Sequence, residues 1–577
     1  MSSKKQTIVS TSIQNTWASN DLLFLGEWCK SFKKRNILKN ISHQTLPYHW
    51  SSSEKLKKDH DYLSVTYESF LNDLAAYLNN FHEVNFSLQF WRILIGPWLL
   101  SFIATVWDRW EIIRTLGNNY DLNSLSYVKL RGNNSLPPCD YEDSIRQFGS
   151  DLWNEEIFSE IMSLHKIASK EVASDLVFSE GSKSLPTKTS IIKSFIRLAT
   201  KPKKNLNLVI YQGYFPPIFL FLINILLKQK IRMDGYFDNP VTPIRFPPRQ
   251  VNNFPALTEE YGDNFERFFQ SKIIKHIPYA YLEGFQSLVS AAKSIPKANN
   301  ILTANAHFGN ELFKVWSGLN CEEGSNLIIS SHGGAIYPKF SVFDHQEHIA
   351  SKRIIWGKAW FANQITLPPN KLSYSSYRPN KVGVISIIDN DSLKYSYRCM
   401  SASQGPLVLK SFEMTKKLIE GLKDNLMQYK IKPKFSGDNE TADRYLYFFG
   451  DVSIYPTDWS MKKVIKSSRL VICTYPQTAY AESIFSGVPT LLVYDSKIWQ
   501  TQDIYKELLS SLRKNNMLFD DPEMAVKHIK SIYHDPFTWW DSLDVVNAKD
   551  EFMKMCISQR KNKLSTWIDF LKKEIKC

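Results

Sequence analysis

The chain has few cysteines, and none of them are paired at close spacing. Its 577 residues include seven cysteines, an odd number, scattered from Cys29 to Cys577 without a CxxC pair. A disulfide framework needs an even set at regular spacing, so this pattern indicates reduced thiols. We therefore expect a cytosolic protein.

Long basic blocks are also missing, although the formal net charge is +14. There is no basic helix, RNP motif or zinc finger, so we expect no nucleic-acid partner. A dispersed positive excess favours anionic ligands, nucleotides or an anionic membrane surface. The first residues lack the apolar core of a signal peptide.

No apolar run is long and uninterrupted enough for a clear membrane span. The two longest candidates are residues 91–107 and 209–227, and both contain proline and polar residues. We interpret them as buried helices, with a break in the first at Gly96 and Pro97. Peripheral contact with the inner membrane stays open.

Residues 301–360 form the most informative stretch. Apolar runs at 301–304 and 326–329 have the character of strands, and a helical pattern begins at Glu311 between them. A strand–helix–strand unit is typical of a parallel sheet, where ligands bind outside the carboxyl ends of the strands. The sequence therefore predicts an α/β fold with a site at one sheet edge.

Histidines and carboxylates follow successive strands of this stretch. Glu311 comes after the first strand, His332 after the second, and Asp344 and His345 before a third at residues 353–356. Such loops converge at one edge, so we expect these four residues in one cleft as catalytic groups. The alternatives are structural loops or a zinc site, but no H-E-x-x-H spacing occurs, and we expect no metal.

A second α/β pattern follows a proline-containing linker at residues 363–381. It includes predicted strands at 382–388, 445–449, 470–474 and 489–494, with helices at 405–429 and 478–486. We expect an N-terminal Rossmann-like acceptor and catalytic domain over residues 1–370, with helical insertions. A C-terminal Rossmann-like nucleotide-sugar domain with terminal helices would cover residues 371–577.

The predicted donor site lies in the second pattern, although no GxGxxG or Walker loop marks it. Thr478 can cap a helix whose free N–H groups suit an anion, and Glu482 lies one turn later on the same face. A phosphate at Thr478 and a ribose at Glu482 would fit a nucleotide-sugar transferase, whereas an ordinary β–α–β unit is the alternative. The remaining predicted donor-binding residues are Gly450, Asp451, Tyr475 and Gln477.

Several motifs occur in an order that resembles a known family. They are FLGEWC, LPYHW, FWRILIGPWL, DRWE, the loop with His-Gly-Gly, a DHQ loop before WG, and a final T-A-x-x-E helix. Together they resemble bacterial surface-carbohydrate transferases related to retaining β-Kdo glycosyltransferases, from about residue 22 to 494. The resemblance implies a GT-B-like fold, two Rossmann-like domains with a cleft between them and extra helices.

The resemblance also implies the activity. It implies a cytoplasmic glycosyltransferase of surface-polysaccharide assembly that uses a nucleotide-sugar, plausibly a CMP-linked ulosonic acid, and no cofactor. The acceptor would be a glycan or glycolipid. Ser331, Gln346 and Ser351 depart from the family pattern. Gln346 and Ser351 favour the alternative of a binding protein with a degenerate site. A polyol-phosphate transferase on the same fold is a third interpretation.

Overall fold

A computed structural model describes most of the chain. The described residues are 5–132, 136–174, 205–227, 237, 264–341, 344–371, 380–425, 427–434, 438–450, 453–557 and 562–576. Part of the predicted linker at 363–381 and the predicted donor residue Asp451 lie outside them.

Fifteen strands of the described residues form three sheets. Their bounds are β1 (Gln6–Val9), β2 (Asp21–Phe24), β3 (Ser42–Thr45), β4 (Leu125–Arg131), β5 (Ala168–Ala173), β6 (Asn205–Ile210), β7 (Lys297–Thr303), β8 (Asn326–Ser330), β9 (Lys352–Ile355), β10 (Gln364–Thr366), β11 (Val384–Ile388), β12 (Tyr429–Lys432), β13 (Ser468–Cys473), β14 (Thr490–Val493) and β15 (Leu518–Phe519).

Each sheet has five parallel strands. Sheet A has the order β3-β2-β1-β4-β5, sheet B the order β10-β9-β8-β7-β6, and sheet C the order β12-β11-β13-β14-β15. The apolar strands of sheets B and C are almost wholly buried, as expected for parallel strands covered on both faces. The predicted α/β class is confirmed. The residues before 370 carry two sheets, and the predicted division into two domains stays a prediction.

Twenty α-helices of the described residues surround these sheets. They are α1 (Arg35–Leu38), α2 (Ser53–His82), α3 (Leu88–Asn119), α4 (Tyr141–Phe148), α5 (Asp151–Leu164), α6 (Pro217–Leu227), α7 (Asn264–His276), α8 (Phe285–Lys293), α9 (Ala306–Gly309), α10 (Glu311–Glu322), α11 (Asp344–Ile349), α12 (Leu407–Asp424), α13 (Thr441–Phe449), α14 (Met461–Ser467), α15 (Thr478–Phe485), α16 (Lys506–Lys514), α17 (Pro522–Ile532), α18 (Pro536–Trp540), α19 (Leu543–Cys556) and α20 (Lys563–Lys576).

Helix α3 runs through the core of the N-terminal part. It is continuous over Leu88–Asn119 with Pro97 inside it, so the predicted break at Gly96 and Pro97 is wrong. Among the described residues it alone has the length and hydropathy of a membrane span. However, 94% of its apolar 18-residue stretch is buried inside the protein. Tight packing on both sides compensates for the hydrogen bond that proline cannot donate.

A buried polar network joins α3 to the segment after β11. We call the set of Tyr48, His49, Asp108, Arg109 and Ser396 the Asp108 network. The Tyr48 hydroxyl lies 2.8 Å from Asp108 Oδ1 and 2.7 Å from Ser396 Oγ, and His49 Nε2 lies 3.0 Å from the same carboxylate oxygen. Arg109 Nη1 donates to Asp108 Oδ2 and to the Ser396 carbonyl. The LPYHW and DRWE motifs thus fix the two halves of the chain together.

One predicted strand of the second half is a helix. Residues 445–449 lie within α13, where Tyr445 is buried and donates its hydroxyl to Asp389. Aromatic residues favour strands in a local reading, but here Tyr445 and Phe449 lie one helical turn apart and face the core of sheet C. The predicted helix over 405–429 ends earlier, at Asp424, and β12 follows it.

Candidate active site

Three histidines lie near the carboxyl edge of sheet B, of which His307 and His345 are buried and His332 is half-buried. His307 follows β7 in the short helix α9, His332 follows β8, and His345 lies in α11 before β9. Both His332 and His345 act electrostatically on His307, and Gln346 Nε2 lies 3.0 Å from His307 Nε2. We call His307, His332, His345 and Gln346 the histidine cluster. His307 and Gln346 were not predicted as site residues.

The imidazoles of this cluster are neutral near pH 7. Burial, followed by the charges of Arg353, Lys371 and Arg398, lowers the pKa of His332 to about 4. Burial also lowers the pKa of His345 to about 3 and that of His307 well below its ordinary value. Neutral imidazoles donate and accept hydrogen bonds without adding charge.

Three cations from different segments act electrostatically on His332. Arg353 belongs to β9 and is buried, Lys371 follows β10 and is exposed, and Arg398 follows β11. The Arg398 guanidinium is hydrogen bonded to Tyr141 at the start of α4. The arrangement suits an anionic ligand, because guanidinium and ammonium groups form strong charge-assisted bonds to phosphate.

Glu311 is held by two hydrogen bonds to one carboxylate oxygen and by an ion pair at the other. Its carboxylate accepts from the Tyr141 backbone at 3.0 Å and the Tyr281 hydroxyl at 3.1 Å, and it pairs with Lys314 at 2.7 Å. Lys314 Nζ also donates to the Leu94 carbonyl of α3. Burial raises the pKa of Glu311, and Lys314 opposes that shift. These contacts tie α10 to α3 and α4.

Asp344 lies on the opposite side of α11 from the imidazoles. It lines a narrow cavity together with Glu347, Arg353, Tyr337 and Trp360. Burial, followed by repulsion from Glu347, raises the pKa of Asp344 to about 6. His345, next in sequence, packs instead against α3 at Gly96.

The loop after β8 touches the first turn of α15. The Gly334 N–H donates to Thr478 Oγ1 at 2.7 Å, and a Cβ on Gly333 would come within 2.4 Å of that oxygen. Thr478 is the first residue of α15 and follows Gln477, which makes no side-chain cap. The predicted capping role of Thr478 is therefore wrong, because its hydroxyl is used across the junction. The carboxyl ends of sheets B and C meet at this contact.

The other predicted donor residues have varied surroundings. Glu482 is buried, and its carboxylate lies 4.0 Å from Lys371. Burial raises its pKa, and Lys371 opposes that rise. Tyr475 packs on Trp499. Gly450 has a positive φ of 77° and ends helix α13 rather than a strand, so the predicted strand-end turn there is wrong.

The geometry brings together part of the predicted site. His332, Thr478 and Glu482 border the junction of sheets B and C, whereas Glu311 and Asp344 lie on different sides of the histidine cluster. The three cations were missed, because charged residues in strands and linkers are usually interpreted as solvated. The signal for Arg398 was its position after a strand of the second pattern. Among the described residues no three His, Cys, Asp or Glu side chains are grouped to hold a metal.

Comparison with known proteins gives one family and several distant structures. A family model described as LIC12162 family transferase matches residues 6–571. No curated protein matches the chain.

The solved structures that match are of low identity. One is the S. aureus TarM G117R mutant in complex with Fondaparinux, alpha-GlcNAc-glycerol and UDP, with 10% identity, a TM-score of 0.33 and coverage of 49% of this chain and 58% of that one. SnogD from Streptomyces nogalater has 11% identity, a TM-score of 0.33 and coverage of 64% and 100%. Acinetobacter baumannii MurG has 13% identity, a TM-score of 0.33 and the same coverage.

Proposed function

Because this chain belongs to the LIC12162 family of transferases, we propose that it is a glycosyltransferase acting from a nucleotide-activated donor. The observation that carries the proposal is that Arg353, Lys371 and Arg398 all act electrostatically on the neutral His332, and that Lys371 also lies 4.0 Å from Glu482 of α15. The phosphate that leaves such a donor gains negative charge, and fixed cations stabilise it without a metal.

The donor class is a CMP-linked ulosonic acid, and the acceptor is a glycan or glycolipid of a surface polysaccharide. A ulosonic acid carries a carboxylate besides the nucleotide phosphate, so the ligand presents two anionic groups to the three cations. Glu482 would hold the ribose beside Lys371, and Thr478 would position the loop of Gly333. The catalytic assignments of Glu311, His332, Asp344 and His345 stay predictions.

The test is nucleotide binding followed by a donor screen. We expect calorimetry to detect CMP, and release of CMP from a CMP-linked sugar to depend on the acceptor. Lys371→Ala should weaken CMP binding at least tenfold, as expected when a charge-assisted bond to phosphate is lost. The matched control is Lys417→Ala, an exposed lysine on α12, which should bind as the wild type does. Equal binding by both variants would contradict the proposed donor site.

Two alternative functions remain, and the donor screen distinguishes both from the proposed one. A polyol-phosphate transferase would use a CDP-linked donor, which the same cations could bind, and the screen distinguishes it because phosphate accompanies the product. A binding protein with a degenerate site would bind nucleotide without turnover. Against that reading, Gln346 bonds His307 and Ser351 Oγ donates to the Leu327 carbonyl, so both atypical residues have defined places in the fold.

We also propose a cytoplasmic location with peripheral contact to the inner membrane. Helix α6 exposes large apolar side chains along one side, namely Ile218, Phe221, Ile225 and Leu226. Exposed apolar patches of this kind mark docking surfaces. Flotation with vesicles containing anionic lipid should carry the wild type, and Phe221→Glu should reduce that association. Equal flotation of both would contradict the contact.

A further inference from the structure

A second cleft lies between the carboxyl edges of sheets A and C. Its main cavity of about 500 Å³ has the size of a ligand pocket. Lys394, from the segment after β11, lines it together with Asp151, the first residue of α5, and Asp438, which precedes α13. A smaller cavity shares Lys394 and Asp438 and continues to Glu27 and Trp28 of the FLGEWC motif after β2. We call the two cavities together the A–C cleft.

The strand order places this cleft where ligands bind in parallel sheets. In sheet A the chain builds outward from β1 to β3 on one side and from β4 to β5 on the other, so the order reverses between β1 and β4. In sheet C it reverses in the same way between β11 and β13. Ligands of open α/β sheets bind outside the carboxyl ends of the strands at such a reversal. The described strands of sheet B run in one direction from β6 to β10, without a reversal.

Lys394 connects the two reversal points directly. Its Nζ donates to Ser12 Oγ, in the segment after β1, at 3.2 Å and to Asp151 Oδ2 at 2.9 Å. Ser12 Oγ donates to the same carboxylate oxygen at 2.6 Å, and the Tyr395 hydroxyl donates to Asp151 Oδ1 at 2.6 Å. These bonds hold this part of the lining in place, so a ligand meets a site that needs little ordering.

Asp438 is the lining carboxylate that is left for a ligand. It lines both cavities, and no hydrogen bond or ion pair reaches its carboxylate from the described part of the chain. By contrast, Asp443 pairs with Lys33 at 3.2 Å, and Glu440 accepts from the Ser31 hydroxyl at 2.9 Å. Asp438 can therefore accept hydrogen bonds from the hydroxyls of a ligand.

The charges of the lining disfavour some classes of ligand. Five carboxylates and three lysines line the main cavity. The excess of negative charge repels a phosphate or a uronic acid, and the lysines repel a cation. The hydroxyls of a neutral sugar both donate and accept, so they can bond to carboxylates and to ammonium groups in one cleft.

An exposed aromatic side chain borders the same cleft. Tyr447 lies one helical turn after Asp443 on α13, and its ring lies 5.5 Å from that of Phe32, the neighbour of Lys33. Asp443 and Lys33 both line the main cavity. The Arg35 guanidinium lies 4.3 Å from the Tyr447 ring centroid, yet the tyrosine is still 56% exposed. The C–H face of a sugar ring is apolar and can pack against such an exposed ring.

We infer that the A–C cleft binds the acceptor of the proposed transfer, an uncharged glycan, so this inference rests on the proposed function. Asp438 accepts hydrogen bonds from the glycan hydroxyls, and Tyr447 packs against the apolar face of one sugar ring. The segment after β11 leads from the cleft to the donor site, because Lys394 lines the cleft and Arg398 acts on His332. The Cα atoms of Lys394 and Arg398 are at most about 14 Å apart, a distance that a glycan of several sugars bridges.

The first experiment measures glycan binding directly. The full chain is applied to an array of neutral oligosaccharides of glucose, galactose, mannose and N-acetylglucosamine, and to matched oligosaccharides that contain a uronic acid. We expect the wild type to bind neutral oligosaccharides and to leave the acidic ones unbound. Asp438→Ala should weaken that binding about tenfold or more, as expected when a hydrogen bond to a charged group is lost.

The matched control is Asp424→Ala, which removes an exposed carboxylate at the end of α12 and should bind as the wild type does. Three results would overturn the inference: binding of the acidic oligosaccharides alone, binding of none, or equal binding by Asp438→Ala and the wild type.

Tyr447→Ala is a second, independent variant. It should weaken binding of neutral oligosaccharides about threefold to tenfold, the range expected for the loss of one aromatic contact. Its control is Phe81→Ala, which removes an aromatic side chain of similar exposure, 53%, on α2. Equal losses in Tyr447→Ala and Phe81→Ala would also overturn the inference.

The donor screen separates the failure of this inference from that of the proposed function. Asp438→Ala and Tyr447→Ala should raise KM for a neutral acceptor and leave CMP affinity unchanged, since CMP binds at the junction of sheets B and C. If the wild type transfers sugar and both variants keep the wild-type KM, the A–C cleft is not the acceptor site and the proposed function stands. If the wild type binds neutral glycans through Asp438 but transfers no sugar from any nucleotide donor, the proposed function fails and glycan binding in the cleft stands without it.

Discussion

The two places where the second half of the chain meets the first differ in how their buried polar groups are bonded. In the Asp108 network, the Asp108 carboxylate accepts from Tyr48, His49 and Arg109. Burial raises the pKa of this carboxyl, but Arg109 and the hydrogen bonds lower it overall. Every charge there has a partner of opposite sign or a hydrogen bond.

The junction of sheets B and C is the opposite case. Burial lowers the pKa of His332 and His345, and neither ring nitrogen of His345 has a hydrogen-bond partner among the described residues. Nearby, Arg353 lies 3.5 Å from Glu347 and Lys371 lies 4.0 Å from Glu482, whereas Arg398 is bonded to the Tyr141 hydroxyl. A buried histidine with neither ring nitrogen bonded is typical of a functional site, whereas a buried carboxylate and guanidinium that are paired with each other are typical of a structural joint.

The largest expected effect is on the structural joint. Arg109→Leu should reduce the free energy of unfolding by about 3–5 kcal/mol, because removing one partner leaves the Asp108 charge buried without compensation. The guanidinium also loses its bonds to Asn154 and the Ser396 carbonyl. Urea denaturation measures the change.

The control for this prediction is an exposed ion pair of the same type. Arg131→Leu removes an ion pair with Glu171 in which the arginine side chain is 74% exposed. The free energy of unfolding should therefore change by less than about 1 kcal/mol. If Arg109→Leu were as mild as Arg131→Leu, the Asp108 network would not be a structural joint.

Sequence patterns predicted sheets B and C better than sheet A. Strands such as β8 and β11 are mainly apolar, and all but the first residue of each is buried. In sheet A, β3 and β5 are polar and partly exposed, so neither alternation nor apolar content marks them. Their pairing is fixed by neighbouring strands, which a local pattern does not contain.

The sequence predicted those site residues whose position follows from the order of the strands. His332 and His345 follow from the rule that ligands bind at the carboxyl ends of parallel strands. Arg398 and Lys371 act on the same histidine, His332, from segments distant in sequence. Such convergence depends on tertiary packing, so the sequence alone could not reveal it.

The second prediction concerns how the stability of the protein depends on pH, to which the unbonded His345 contributes. The folded protein holds His345 at a pKa of about 3, below the ordinary value of 6.5. Between these values the unfolded chain binds a proton that the folded chain does not, so stability is full above pH 6.5 and falls as pH falls. Between pH 6.5 and pH 5, this histidine should lower the free energy of unfolding by about 2 kcal/mol.

His345→Asn should remove that share of the pH dependence, measured by urea denaturation at pH 5 and 7. Asp344 has a raised pKa, about 6, and acts in the opposite direction, but it is present in both proteins and cancels in the comparison. Identical pH dependence in His345→Asn and the wild type would contradict a neutral, buried His345.

The smallest expected effect concerns the contact that joins sheets B and C. Gly333→Ala places a methyl within 2.4 Å of Thr478 Oγ1 and should destabilise the chain, since overpacked contacts cost about 1–3 kcal/mol. Thr478→Ala removes that oxygen and the bond from the Gly334 N–H, a loss of about 1 kcal/mol. In the double variant the clash is absent. The free energy of unfolding that it loses should therefore be about 1 kcal/mol less than the sum of the losses in the two single variants, the coupling of residues in direct contact. Unfolding of all four proteins in urea gives this coupling. Strict additivity would mean that the loop of His332 and helix α15 do not touch in solution, and the junction would then be open rather than closed.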